Sequence, residues 1–328
     1  LGDVYKRQGD APPAAYKKGR SMLVIAALLV GAIVPVQTAI NTRFRESIGS
    51  PIVAGFFSFI IGLFVSALIA LALTGHLIPD LATAAQQPWW VWLGGFMGVS
   101  FIVGNILLFP RIGSVETVIL PILGQVTMGL LCDTTGIFNS PHVGVGPLRI
   151  LGVAVVLVGI ALVLEIGRGA ATTHATASGV KLWLWRLFGV LIGMGSATQT
   201  AVNGFLGRAL GNPLPAGEVS LAVGVLLLAV LSIAPRGPRR ALFTRPAPGP
   251  WWMWFGGVLG ALFVVGGATL SPILGTGTTV IGSLVGSIVC GQVVESLGWG
   301  HARRGLPPIH RVVGLALVII GVVMVRSL

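Results

Sequence analysis

Ten runs of apolar residues follow one another along the chain. They lie at about 22–40, 52–73, 89–109, 115–132 and 148–164, then 183–203, 214–234, 251–271, 276–296 and 312–326. The runs show no period-two alternation, and most are long enough to cross a hydrocarbon core of about 30 Å as helices rising 1.5 Å per residue. The breaks between them carry turn residues and charge, as in "RFRESIGSP", "TGHLIPD", "PRIGS" and "NSPHVGVGP". The pattern predicts an all-α polytopic membrane protein of ten transmembrane helices.

A second regularity lies over the first. Gln199 follows Gln37 by 162 positions, and the same offset relates Asn41 to Asn203, Pro51 to Pro213, Pro110 to Pro272, Thr117 to Thr279, Gly124 to Gly286 and Arg149 to Arg311. It also lays "PWWVWLGGFMG" at 88 over "PWWMWFGGVLG" at 250. One offset held over the whole length describes a duplicated five-span unit. The expected division is a polar N-terminal tail at 1–21, a first repeat at 22–166, a linker at 167–182 and a second repeat at 183–328. An odd number of spans per unit makes the second copy enter the membrane from the other side, giving two inverted five-helix repeats.

Charge tests that inversion. The loop 235–250 carries Arg236, Arg239, Arg240 and Arg245, while its counterpart at 74–88 has no Lys or Arg. Arg303 and Arg304 likewise have no counterpart in 135–147, and Arg43 and Arg45 outnumber the lone Arg208. The bias reverses between the copies, as it must if equivalent loops lie on opposite sides. These loops place both termini outside, whereas Lys17, Lys18 and Arg20 in the tail argue the reverse. Hydrophobic residues make up 54% of the 328 and charged residues only 9%, too few to solvate a globular surface. The net charge of +12 sits in the breaks and forms no aromatic-interleaved stripe, which excludes nucleic acid as the partner and leaves the lipid bilayer.

Polar residues inside the runs are the candidate chemistry. Gln37 and Asn41 are four apart, on one helix face, and Gln199 and Asn203 repeat them. A polar face inside a bilayer turns inward, either to hold helices together or to line a path. The repetition favours a wall of a substrate path from each half, with Gln125 and Asn105 as further candidates. Glu116 and Glu218 have Thr278 and Phe56 at the equivalent positions, so each is unmatched. They are candidates for proton coupling, with helix N-terminal capping as the competing role. Asp133 and Glu295, which are equivalent, read as helix-end features. Pro35 and Pro121 permit kinks.

Trp89, Trp90 and Trp92, with Trp251, Trp252 and Trp254, are expected at the headgroup level. Gly94 with Gly98, and Gly256 with Gly260, form small-xxx-small faces for close helix packing. Cys132 and Cys290 are not equivalent in the repeat and give no disulfide framework. The five histidines show no metal spacing, and no nucleophile–base arrangement appears, so no cofactor, no metal and no enzymatic activity is expected.

The stretches "PVQTAINTRFRESIGSPIVAGFFSF", "PWWVWLGGFMG", "LLFPRIG" and "GQ" resemble the YdcZ-type family of inner-membrane exporters in the drug/metabolite transporter superfamily. The resemblance covers about 22–166 and 186–327 and identifies the chain as two five-span units fused. The second half departs from the pattern, with Ser287 in place of Gln125 and Ile273 in place of Arg111. The resemblance implies a drug/metabolite transporter-like fold, the bacterial inner membrane and export of small molecules or metabolites, without naming a substrate or a binding residue. Together with the polar faces, it leads to a secondary active transporter working by alternating access, with proton coupling. The alternatives are a non-transporting protein that assembles or binds a partner, and a channel-like or lipid-handling protein. A monomer suffices for this architecture, and a homodimer stays open.

Overall fold

A computed structural model describes residues 14–140, 146–163, 179–274, 276–299 and 307–326; the side chains of 14–21, 114, 133, 213, 268, 271–281 and 325–326 lie outside the described set. Expectations resting on Lys17, Lys18, Arg20, Asp133, Ile273, Thr278, Arg303, Arg304 and most of the linker therefore fall outside it. The described secondary structure is helical throughout. The principal helices are α1 (Ala14–Ile48), α2 (Pro51–Thr74), α3 (Leu93–Thr135), α4 (Pro147–Val163), α5 (Gly179–Ala209), α6 (Pro213–Ile233), α7 (Gly256–Leu274), α8 (Thr276–Ser296) and α9 (Ile309–Arg326).

Local chemistry sets these boundaries. Ser50 accepts a hydrogen bond from the amide of Val53 and precedes Pro51, so it caps α2; Asn212 accepts from Leu214 ahead of Pro213 and caps α6 in the same way. Outside the spans, Asp80 caps a short helix, Leu81–Ala85. The Thr83 hydroxyl, then the Thr83 amide, hold the Asp80 carboxyl below its ordinary range.

α3 holds the third and fourth spans as two helices that meet directly at Gly113. α3 bends at Gly113, where φ is 83° and ψ 169°, giving arms Trp89–Gly113 and Val115–Cys132. That backbone conformation crowds any Cβ, so glycine is the residue that admits it. Pro110 removes a donor just before the bend. The offset of 162 puts Gly275 in the same place in the second copy, between α7 and α8.

Six described helices or helical arms are long and apolar enough to cross a membrane, and three shorter apolar helices lie at Pro147–Val163, Trp251–Gly267 and Ile309–Met324. The first and sixth spans cross over to the other half. α1 packs on α7 and α8, and α5 packs on both arms of α3. Glycine allows the close approach. A Cβ on Gly31 would overlap backbone of Ser283, and one on Gly193 would overlap backbone of Pro121, its equivalent 162 positions away. Gly286 against Leu28 and Gly124 against Val190 repeat the relation. α2 and α6 pack on each other, and α4 pairs with α9. The contacts themselves obey the pseudo-two-fold, which makes this a polytopic membrane fold of two inverted five-helix repeats.

Candidate functional site

The polar pairs in α1 and α5 dock on glycine pairs of the opposite half. Asn41 is fully buried, and its Oδ1 accepts a 2.7 Å hydrogen bond from the Ser58 hydroxyl of α2. A Cβ on Gly256 would collide with the same carboxamide. One turn away, a Cβ on Gly260 would stand 2.7 Å from Gln37 Nε2. The second copy matches contact for contact. Ser220 donates to Asn203 Oδ1 at 2.6 Å, a Cβ on Gly94 would meet both side chains, and one on Gly98 would stand 2.7 Å from Gln199 Nε2.

The small-xxx-small faces thus do more than bring backbones together. Each is the receiving surface for a Gln–Asn pair, and Ser58 and Ser220 hold the asparagines in place. The serines were not singled out in the sequence, although they obey the 162 offset and so carried a signal. Both glutamines are half-buried, and Asn41 Nδ2 has no hydrogen-bond partner among the described residues. Each pair stands in the C-terminal part of its helix, and the two helices run in opposite directions. One seat therefore lies towards each membrane face.

The other candidates sit elsewhere on α3. Asn105 is buried two turns along from Gly98, beside Gly104, which packs against Ile192 and Phe188 of α5. Gln125 is half-buried on the second arm, next to the close contact between Gly124 and Val190. Its equivalent, Ser287, donates at 2.7 Å to the Gly31 carbonyl and so joins the α1–α8 seam.

The unmatched carboxylates have different surroundings. Glu116 receives two hydrogen bonds from the buried Arg186 of α5: Nε to Oε2 at 3.0 Å and Nη2 to Oε1 at 2.8 Å. Arg186 also stacks on Trp183, with its guanidinium carbon 4.9 Å from the ring centroid. Nearby, Arg111 lies 4.2 Å over the Trp185 ring. Arg186 lies inside a run read as apolar, and nothing at the equivalent Val24 announces it. Glu295, at the end of α8, pairs with Arg311 and accepts the Val115 amide, which caps the second arm of α3. Glu218 has no such partner. It is 2% exposed in α6, and its Oε1 meets no donor among the described residues.

The tryptophans divide their work. Trp89 and Trp251, which are equivalent, are each 74% exposed where headgroups lie, whereas Trp90 packs on Phe205 and Trp254 on Phe44.

A crystal structure described only as that of a protein matches the fold over 94% of this chain and 97% of its own, with a TM-score of 0.56 and 16% identity. At that identity the likeness establishes the fold alone. No curated protein matches the chain. The family model described as "Putative inner membrane exporter, YdcZ" matches twice, over residues 22–162 and 184–324. Those two segments are the two inverted halves, and the chain belongs to this family of multi-pass inner-membrane exporters.

Proposed function

We propose that the protein is a secondary active transporter of the bacterial inner membrane that exports small molecules by alternating access, coupled to protons. The observation that carries this reading is the pair of Gln–Asn seats, one towards each membrane face and each built from both halves. Opening the two faces in turn requires the halves to move against each other. The seats lie on that division, beside close contacts between glycine and the backbone of the opposite half. Substrate would be met by Gln37 and Asn41 from one side and by Gln199 and Asn203 from the other, with Asn105 and Gln125 further along the α3–α5 seam. Carboxamides offer both donors and acceptors, which suits an uncharged or zwitterionic polar solute.

No nucleotide-binding motif accompanies the fold, so the driving force is an ion gradient and the protein is a carrier rather than an enzyme. Both oxygens of Glu116 are taken by Arg186, which supports a positional role for that carboxylate. Glu218, which meets no cation among the described residues, is the better-supported coupling group.

The competing reading is an assembly protein, and it draws on the tight fit of Asn41 and Asn203 against glycine. Flux of a panel of small polar solutes in proteoliposomes with an imposed pH gradient tests both readings. Gln37→Ala and Gln199→Ala are expected to cut flux while leaving the folded yield intact. A loss of stability with flux unchanged would establish the assembly reading.

A further inference from the structure

The seam between α2 and α6 is built twice, once dry and once polar. Its register is fixed by three close contacts. A Cβ on Gly55 would lie 3.7 Å from Leu228, one on Gly224 would press on Phe59, and one on Gly62 would lie 3.9 Å from Leu221. Each step along α2 is matched by an equal step back along α6, so the next step sets Ser66 level with Gly217, beside Glu218. The repeat makes the same assignment independently. Gly217 and Ser66 are the equivalents of Gly55 and Leu228, and Glu218 is the equivalent of Phe56.

At the first end, Phe56 and Leu228 join one apolar cluster. At the second, a serine and a glutamate replace them. Leu228 reaches the Gly55 position, whereas at Gly217 it is Val264 of α7 that a Cβ would meet, and no Ser66 atom comes within 4 Å. Both polar side chains are buried, Ser66 fully and Glu218 to 2% exposure, and Ser66 Oγ and Glu218 Oε1 have no partner among the described residues. On the third wall, Val264 of α7 faces Gly217, and one turn beyond it a Cβ on Gly267 would meet no described residue within 4 Å. A buried carboxylate and a buried hydroxyl with no described partner call for a positive charge.

We infer that Glu218 and Ser66 form a single site for one small monovalent cation, a proton carried with water or Na⁺, in the half of the seam nearer the start of α6. The inference deepens the proposed ion-coupled transport. It fixes one site per chain, because the equivalent place is filled by Phe56 and Leu228.

Other charges leave the site to Glu218. α2, α7 and the segment Trp89–Trp92 contribute none. Of the charged residues on the remaining neighbours, Lys181 and Arg186 of α5, Arg111 and Glu116 of α3, and Arg236, Arg239 and Arg240 lie towards the other end of α6, about 25 Å away at 1.5 Å per residue. The side chain of Asp133 lies outside the described set. Arg208 lies at the near end, and its guanidinium donates to the Asn139 carbonyl.

The test uses the purified full chain in lipid, treated with dicyclohexylcarbodiimide, which reacts with protonated carboxyl groups in apolar surroundings. Peptide mass spectrometry then reads each carboxylate over a pH series, in NaCl and in KCl of equal ionic strength. Glu218 is expected to be labelled and the Arg-paired Glu116 and Glu295 spared. Labelling should fall roughly tenfold per pH unit above its midpoint, as for one proton. Protection by NaCl but not KCl at fixed pH identifies Na⁺ as the occupant, and equal labelling in the two salts identifies the proton. Ser66→Ala keeps the fold and is expected to shift the midpoint or remove the Na⁺ protection. Glu218 unlabelled at every pH, or labelled without regard to pH, salt or Ser66, would overturn the site. Labelling that behaves as expected in a protein without flux would leave the site standing and remove transport instead.

Discussion

The two ends of the α2–α6 seam are one structure with two side-chain sets. At one end, Val103 and Leu228 close over Gly55 and Phe56 lies in the same apolar cluster; at the other, Val264 closes over Gly217, and Glu218 and Ser66 are buried with no described partner. The helix pairing is the same at both, so the backbone does not need the polar groups. Deleting a bulky apolar pair and burying a carboxylate both oppose stability. A protein that keeps both features at one end alone keeps them for something other than the fold. The interface between α5 and the second arm of α3 teaches the same lesson more gently. There Glu116 and Arg186 form an ion pair, while Val24 stands at the position equivalent to Arg186 in the mate interface.

The largest expected effect tests the ion pair. Arg186→Ala strands Glu116 and should cost about 3–5 kcal/mol, read as loss of folded protein in thermal unfolding followed by size exclusion. Replacing both partners, Glu116→Gln with Arg186→Met, should recover most of that loss; no recovery would show that Arg186 has a role beyond pairing. Next, Phe56→Glu copies the polar end onto the dry end and should cost about 2.5–3.5 kcal/mol, since nothing there has been left open for it. Glu218→Phe with Ser66→Leu makes the converse copy and should be at least as stable as the parent, with ion-driven flux lost.

Smaller effects sharpen the equivalence of the halves. Gly31→Ala and Gly193→Ala should each cost about 1–3 kcal/mol by pressing a methyl on backbone, whereas Gly267→Ala, which meets no described residue, should change stability by less than about 0.5 kcal/mol. Ser58→Ala and Ser220→Ala should each cost about 0.6 kcal/mol and match each other, as their hydrogen bonds to Asn41 and Asn203 do.

Hydropathy and the 162 offset made the spans, the duplication and its inversion readable, because membrane solvation acts on whole segments and duplication copies them in register. The polar pairs were visible too, since Gln37 and Asn41 recur. What they touch was not. Gly256 and Gly260 read as a generic packing face until the inverted copy places α1 against α7. The bend at Gly113 hid behind "PRIGS", which reads as a loop, because a junction reduced to one positive-φ glycine carries the same turn residues as a longer connection. Arg186 was missed for a related reason. A basic residue near the start of a span looks like a loop charge, and only tertiary packing brings Glu116 to it. Ser66 carried no signal alone, as its meaning depends on Leu228 standing in the equivalent place.

The α4–α9 pair carries a consequence for ancestry. Gly152 meets Gly321 and Gly159 meets Gly314, and the pseudo-axis exchanges one contact for the other. A free five-span unit could clasp an upside-down sister through the same glycines. In such a dimer every change would be inherited by both subunits, and a lone Glu218 could not arise. Joining the sisters into one polypeptide released each from copying the other, and they have since diverged at most positions while keeping the Gln–Asn pairs and the glycines that receive them.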